Sequence, residues 1–306
     1  MEKRSDVVKK PKKNTVAIVV PMHRESLTSD EKVSLRHLRH FLGHYDKYFV
    51  SAKDLHINVE PWDFKIIKFS KRYFLSKESY SKLLVSKEFY QCFKDYEYIL
   101  LYQLDCLVFS DLLLVWCEKE YDYIGAPWYR ECVITEEGWD PKGDVVGNGG
   151  FSLRKVASFI KVLNKYNYNN PFNIAKRKIQ AYASLIKYFL SRIPVKVIDL
   201  IKCKQDAPEM IKNMYVRKQS IVRQKNEDLF WSQEARKWCP DFKIAPPEEA
   251  VYFSFEVGPE YCFEKTNHAL PFGCHGWNKY NKGFWEKNAS LLLIDQSAVE
   301  ILSKVN

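Results

Sequence analysis

The chain has 306 residues, 46% hydrophobic, 15% aromatic and 28% charged, which excludes a disordered, collagenous or small disulfide-stapled protein and leaves room for one large domain or two modest ones. Its formal charge of +10 invites a polyanionic partner, but the basicity is local: residues 1–14 carry +4 and residues 165–225 carry +11, leaving a mildly acidic body. Eight cysteines without a CxxC pair or regular spacing favour free thiols in a reducing compartment, and no apolar run reaches the length of a bilayer span, so a cytoplasmic chain is expected.

In chain order, the Lys-rich stretch 1–14 reads as a flexible tail. The β-branched run Thr15–Val20 predicts a buried strand that opens, after Pro21, into the loop Met22-His23-Arg24-Glu25. Glu31–Tyr45 has helical periodicity, Tyr48–Val50 and Phe64–Phe69 read as short strands, and Tyr80–Phe93 as one amphipathic helix. Tyr98–Tyr102 (YILLY) predicts a second buried strand, followed at once by Gln103-Leu104-Asp105. This alternation predicts an α/β sheet layered by helices, with ligands gathering at the strands' C-terminal ends. Farther on come YDYIGAPW (121–128), VGNGGFSLR (146–154), the basic segment 165–225, NEDLFW (226–231) and the Gly- and aromatic-rich loop Leu270–Tyr280. Within the basic segment, Ile179, Tyr182, Ala183, Ile186, Phe189, Leu190 and Ile193 form a helical apolar stripe ended by Pro194, which suggests an insertion into the α/β body.

Four groups of residues could carry chemistry. Asp105, an acid at the end of a buried strand, suits a divalent cation held against a diphosphate, or equally a simple turn. Glu227 and Asp228 head a helix that Asn226 could cap; either they complement the helix dipole, or one of them is a general base. The glycines around Asn148 allow backbone N–H groups to approach a sugar or phosphate, or merely close a turn before a strand. His275, between glycines, is an accessible ligand or an ordinary loop residue. By contrast His37, His40 and His44 form a stripe on the first predicted helix with no Cys or acid at matching spacing, and read as a half-exposed polar face.

Taken in order, VAIVVPMHRE, SYSKLLVSKEFYQCFKDYEYILLYQLDCLVF, YDYIGAPW, VGNGGFSLRK, NEDLFWS and PFGCHGW resemble a little-characterised family of glycosyltransferases with a GT-A-like fold. The resemblance covers about residues 14–160 and 224–282. It implies a Rossmann-like mixed sheet flanked by helices (15–164 and 226–282), with 165–225 as a basic helical insertion and 283–306 as a C-terminal segment. It also implies transfer of a sugar from a nucleotide-sugar donor, a UDP-sugar by preference, to a hydroxyl of a glycan or lipid-linked acceptor. In that reading Pro21, His23, Arg24, Lys82, Gln103, Asp105, Asn148, Gly149 and Gly150 lie against the donor. Asp105 corresponds to the surviving acid of an Asp-x-Asp motif whose first position is Gln103. His275 is the second protein ligand to Mn²⁺ or Mg²⁺, Trp128 stacks on the acceptor, Asp228 is the base and Glu227 orients the acceptor or donor. The basic insertion would suit an anionic membrane surface and a role in polysaccharide biosynthesis. Two other classes fit the composition: a nucleic-acid-binding protein, although the basic residues follow no RRM-, KH- or finger-like pattern, and an inactive scaffold, for which Gln103 speaks.

Overall fold

The computed structural model describes residues 15–57, 63–138, 140–141, 143–166, Tyr182 and 226–289. The Lys-rich stretch 1–14, nearly all of the basic segment 165–225 expected to be an insertion, and residues 290–306 lie outside the described residues.

Eleven strands are described, in chain order β1 (Val16–Pro21), β2 (Asp46–Ala52), β3 (Lys65–Phe69), β4 (Tyr98–Tyr102), β5 (Cys106–Val108), β6 (Tyr123–Ile124), β7 (Pro127–Trp128), β8 (Val145–Val146), β9 (Phe151–Lys155), β10 (Ser254–Phe255) and β11 (Gly273–His275). Six of them form the central sheet in the order β3-β2-β1-β4-β9-β6. The first four are mutually parallel, whereas β9 runs antiparallel to both β4 and β6. This is the mixed sheet flanked by helices that the sequence predicts. Val16–Val20 and Tyr98–Tyr102 are buried throughout, as continuous apolar runs in central parallel strands should be, and each fully buried Val or Leu contributes about 1.5–3 kcal/mol. The chain leaves β1 toward β2 and β3 on one side while β4 lies on the other, so the C-terminal ends of β1 and β4 form a switch point, where open sheets leave a crevice.

Helix α1 (Ser29–Leu42) starts two residues earlier than the periodicity predicts because Thr28 and Glu31 form a capping box, Thr28 Oγ1 accepting from Glu31 N and Glu31 Oε2 from Thr28 N. His37 on this helix is buried, its Nδ1 3.0 Å from the Val108 carbonyl, so the His37/His40/His44 stripe is not uniformly half-exposed. The single helix expected over Tyr80–Phe93 is two, α2 (Lys77–Leu84) and α3 (Lys87–Gln91). Ser86 caps the second through Phe89 N, and the Leu84 carbonyl released by the break accepts from the Tyr90 hydroxyl and the Trp231 indole.

The segment after residue 225 is helical from Glu227 to Trp238, with a π-helical stretch at Phe230–Glu234. Asn226 does not cap it through its side chain, contrary to expectation. Trp231 anchors it, fully buried with its ring 3.9 Å from that of Phe159. A smaller sheet, β10-β11-β5, closes the side of the fold, so His275 ends a strand where a loop was expected. Gly273 makes this possible: a Cβ there would run into the Phe151 ring.

Candidate active site

A cavity of about 690 Å³ opens at the C-terminal ends of β1 and β4, within the range of small-molecule sites. Pro21, His23 and Arg24 line it from the loop after β1, Gln103 and Asp105 from the turn after β4, and Lys77 and Tyr80 from α2. Arg24 donates to Glu31 Oε1 at 2.8 Å, which ties this loop to the first turn of α1.

Beneath the floor that Gln103 and Asp105 give this cavity, three strands converge on one imidazole, which itself lines no part of it. β11 pairs antiparallel with β5 in a register that sets His275 opposite Cys106, beside Asp105. β10 runs parallel to β11 with Phe255 level with Cys274, which brings Glu256 alongside His275. As a result His275 Nε2 lies 3.3 Å from Asp105 Oδ1 and 3.2 Å from Gln103 Oε1, and Nδ1 lies 2.6 Å from Glu256 Oε1. The other Glu256 oxygen accepts from Trp128 Nε1 at 2.5 Å. Burial works against a charged imidazole here, but Asp105 and Glu256 outweigh it and push the His275 pKa up to about 10. Burial likewise opposes ionisation of Asp105, and the charge and hydrogen bond of His275 overcome it, holding the carboxyl below its ordinary value.

Behind this floor lies a second polar layer built on VGNGG. Asn148 takes a left-handed backbone (φ 66°) and its Oδ1 accepts from the N–H groups of Gly150 and Phe151, forming an Asx-type turn that leads into β9. The two glycines make room for side chains: a Cβ on Gly149 would overlap the Glu227 carboxylate, and one on Gly150 the His275 ring. Arg154, fully buried on β9, donates to Glu227 Oε1 at 2.9 Å, to the Gly149 carbonyl, to Ser152 and to Tyr90, and so fixes the start of the Glu227 helix against the sheet. Next along, Asp228 accepts from Leu229 N at 2.7 Å; burial, reinforced by the charge of Glu227, pushes its pKa up to about 7.

The structure therefore gathers Pro21, His23, Arg24, Gln103 and Asp105 around one cavity and joins His275 to Gln103 and Asp105. It does not bring Lys82 there: Lys82 is exposed on α2 and lines no part of the cavity, whereas Lys77, one turn earlier, does. Glu227 is buried with one oxygen on Arg154, the Gly149 carbonyl accepts from the same guanidinium, and Asn148 is buried with its Oδ1 on the Gly150 and Phe151 N–H groups. Trp128 is largely buried with its ring over Gly147. Sequence reasoning missed Glu256, Arg154, Lys77 and Tyr80. Arg154 lies within the VGNGGFSLR motif, where its alternation with Leu153 in a short strand gave no sign of its burial. Glu256 carried no local signal, because its meaning comes only from the β10–β11 register.

Asp105, Cys106 and His275 offer ligand atoms within 4.8 Å of one another. The Cys106 thiol donates to the Gly150 carbonyl, and burial raises its pKa well above the ordinary thiol value, so Asp105 and His275 are the two of the three whose ligand atoms would suit a hard cation. One carboxylate and one imidazole, with the Gln103 amide oxygen adjacent and a carboxylate on the far imidazole nitrogen, suit a Mn²⁺- or Mg²⁺-type cation. Among the described residues no helix is long and apolar enough to cross a membrane. The seven described cysteines, all but Cys203, are free thiols.

Comparison with known proteins places these observations in a family. The family described as "Protein of unknown function (DUF5672)" matches residues 63–275. No curated protein matches the chain in sequence. Among solved structures, the apo glycosyltransferase GlyE of Streptococcus pneumoniae TIGR4 aligns at 13% identity and TM-score 0.41, covering 95% of this chain and 64% of that one. The galactosyltransferase LgtC, solved with donor and acceptor sugar analogues, aligns at 11% identity and TM-score 0.44, covering 92% and 98%. The mannosyltransferase Ktr4p of S. cerevisiae aligns at 11% identity and TM-score 0.33, covering 51% and 58%. The chain thus spans less than two thirds of the GlyE and Ktr4p chains.

Proposed function

The chain belongs to the DUF5672 family of proteins of unknown function, and we propose that it transfers a glycosyl group from a nucleotide-sugar donor to a hydroxyl of a glycan or lipid-linked acceptor. The observation that carries this reading is the contact of His275 with both Asp105 and Gln103 just beneath a cavity at the β1/β4 switch point, which those two residues line with Lys77 and Arg24 on its walls. A diphosphate needs concentrated positive charge and a hard-cation site, and a hexose needs polar side chains beside it; this cavity offers both. The motif resemblance described above points the same way.

Asp105 and His275 would hold Mn²⁺ or Mg²⁺, which supplies neutralisation of the charge developing on the departing nucleoside diphosphate. Lys77 adds a cationic side chain on the same wall, close enough to Asp105 to help keep it ionised. Asp228, with its pKa near 7, is poised to accept the proton of the acceptor hydroxyl in a single in-line, inverting displacement. Glu227, committed to Arg154, fixes the start of the helix that carries Asp228 and is not free to orient the acceptor or donor, and Trp128 offers an aromatic edge to the acceptor. UDP-sugars are the preferred donors in this reading, and the basic segment 165–225 is assigned to an anionic membrane surface.

A thermal-shift screen of UDP-, GDP-, CMP- and dTDP-sugars with and without Mn²⁺ tests the proposal. A ligand at one hundred times its Kd stabilises the fold by about 2.7 kcal/mol, so one donor class should raise the melting temperature, more so with Mn²⁺. Absence of a shift with every donor contradicts it.

A further inference from the structure

The geometry points to Glu256 as the positioning residue of this site: one buried carboxylate fixes both which imidazole nitrogen of His275 faces Asp105 and how the Trp128 indole is turned. The inference rests on the reading of Asp105 and His275 as cation ligands. Glu256 accepts from His275 Nδ1 at 2.6 Å with one oxygen and from Trp128 Nε1 at 2.5 Å with the other. An indole N–H can only donate, and an ionised carboxylate can only accept, so both oxygens are committed and both demand a donor opposite. In the metal-free site both imidazole nitrogens face acceptors, Nδ1 on Glu256 and Nε2 on Asp105 and Gln103; a cation at Nε2, 3.3 Å from Asp105, would replace the proton there and leave the remaining one on Nδ1, held by Glu256.

No amide can replace this arrangement. In Glu256→Gln a single oxygen faces two donors. If it serves Trp128, the NH₂ group faces Nδ1 and drives the His275 proton to Nε2, where it occupies the ligand position. If it serves Nδ1, the NH₂ group meets the Trp128 N–H donor to donor. Two elements distant in the chain, the β7 strand and the end of β11, are thereby locked to one side chain, which ties the proposed acceptor edge to the proposed donor floor.

Mn²⁺ binding to the metal-free full-length protein, followed by the EPR signal of free Mn²⁺, tests this without reference to turnover. Removing the outer partner of a ligating histidine weakens metal affinity about 10–100-fold, and that is the loss expected for Glu256→Gln. Glu256→Asp, which keeps a carboxylate on a shorter stem, should recover part of it, a rescue that a merely space-filling role would not produce. Saturable binding to wild type with unchanged affinity in Glu256→Gln overturns the role of Glu256 while leaving the cation site standing. Absence of Mn²⁺ binding to wild type overturns both. Should Glu256→Gln fail to fold, Glu256→Asp alone decides: weaker binding than wild type is expected, and equal binding overturns the proposal.

Discussion

His275 and Asp105 meet, Nε2 to Oδ1 at 3.3 Å, because β11 and β5 pair antiparallel in a register that places His275 opposite Cys106. The contact also depends on a missing atom, since a Cβ on Gly150 would occupy the His275 ring. Gly150 has an ordinary negative φ, so alanine there strains nothing but this contact.

Gly150→Ala should therefore displace His275 while leaving the sheet intact. A misplacement of about 1 Å at a reacting centre costs on the order of 100-fold in rate, and a loss of that size in sugar transfer is expected with a near-native circular dichroism spectrum. Unchanged transfer would show that His275 is not part of the working site.

The buried pair Arg154–Glu227 governs stability more than chemistry. Removing one partner of a buried ion pair costs about 3–5 kcal/mol, so Arg154→Leu should lower the urea-unfolding free energy by that amount. The double variant Arg154→Leu/Glu227→Leu should recover much of it, because no buried charge is left unpaired. A single variant as stable as wild type contradicts the assignment.

Asp228 has a folded pKa of about 7, above its ordinary value of 3.8. As base it must be ionised, so kcat should rise with pH and level off above about 7, and Asp228→Asn should lose 10²–10⁴ in rate, the usual order for a general base. The linkage sign is that of a raised carboxyl: the stability present below pH 3.8 is lost as pH rises through the window up to about 7. Asp228→Asn should thus melt higher than wild type at pH 8 and not at pH 4, as calorimetry at the two pH values would show.

Lys77 and Lys82 lie on the same helix, but only Lys77 lines the cavity. Lys77→Ala should raise the donor KM, and Lys82→Ala should leave it unchanged. Steady-state kinetics with the donor found in the thermal screen separates the two, and equal effects would place the diphosphate elsewhere.

Much of the frame could be read from local pattern. The runs TVAIVV and YILLY are long, β-branched or apolar, and bounded by Pro21 and Gln103, so their burial and their ends followed directly. The strand ends in turn bring Pro21, His23, Arg24, Gln103 and Asp105 around one crevice. What could not be read was set by register and by tertiary hydrogen bonding. Glu256 acquires its partner from strand pairing alone, and the α2/α3 break is stabilised by Tyr90 and Trp231, each reaching the Leu84 carbonyl. The glycines of VGNGG pointed to close approach, but the approaching groups are the protein's own Glu227 and His275, which no spacing rule reveals.

The central claim, that Asp105 and His275 hold a cation for a nucleotide-sugar reaction, is tested most directly by release of nucleoside diphosphate from the donor panel after chelation and Mn²⁺ restoration. Release that disappears with chelator, returns with Mn²⁺ and falls on the order of 10²–10³-fold in Asp105→Asn is the predicted result. Release by Asp105→Asn at the wild-type rate, or no release from any donor with Mn²⁺ present, would contradict it.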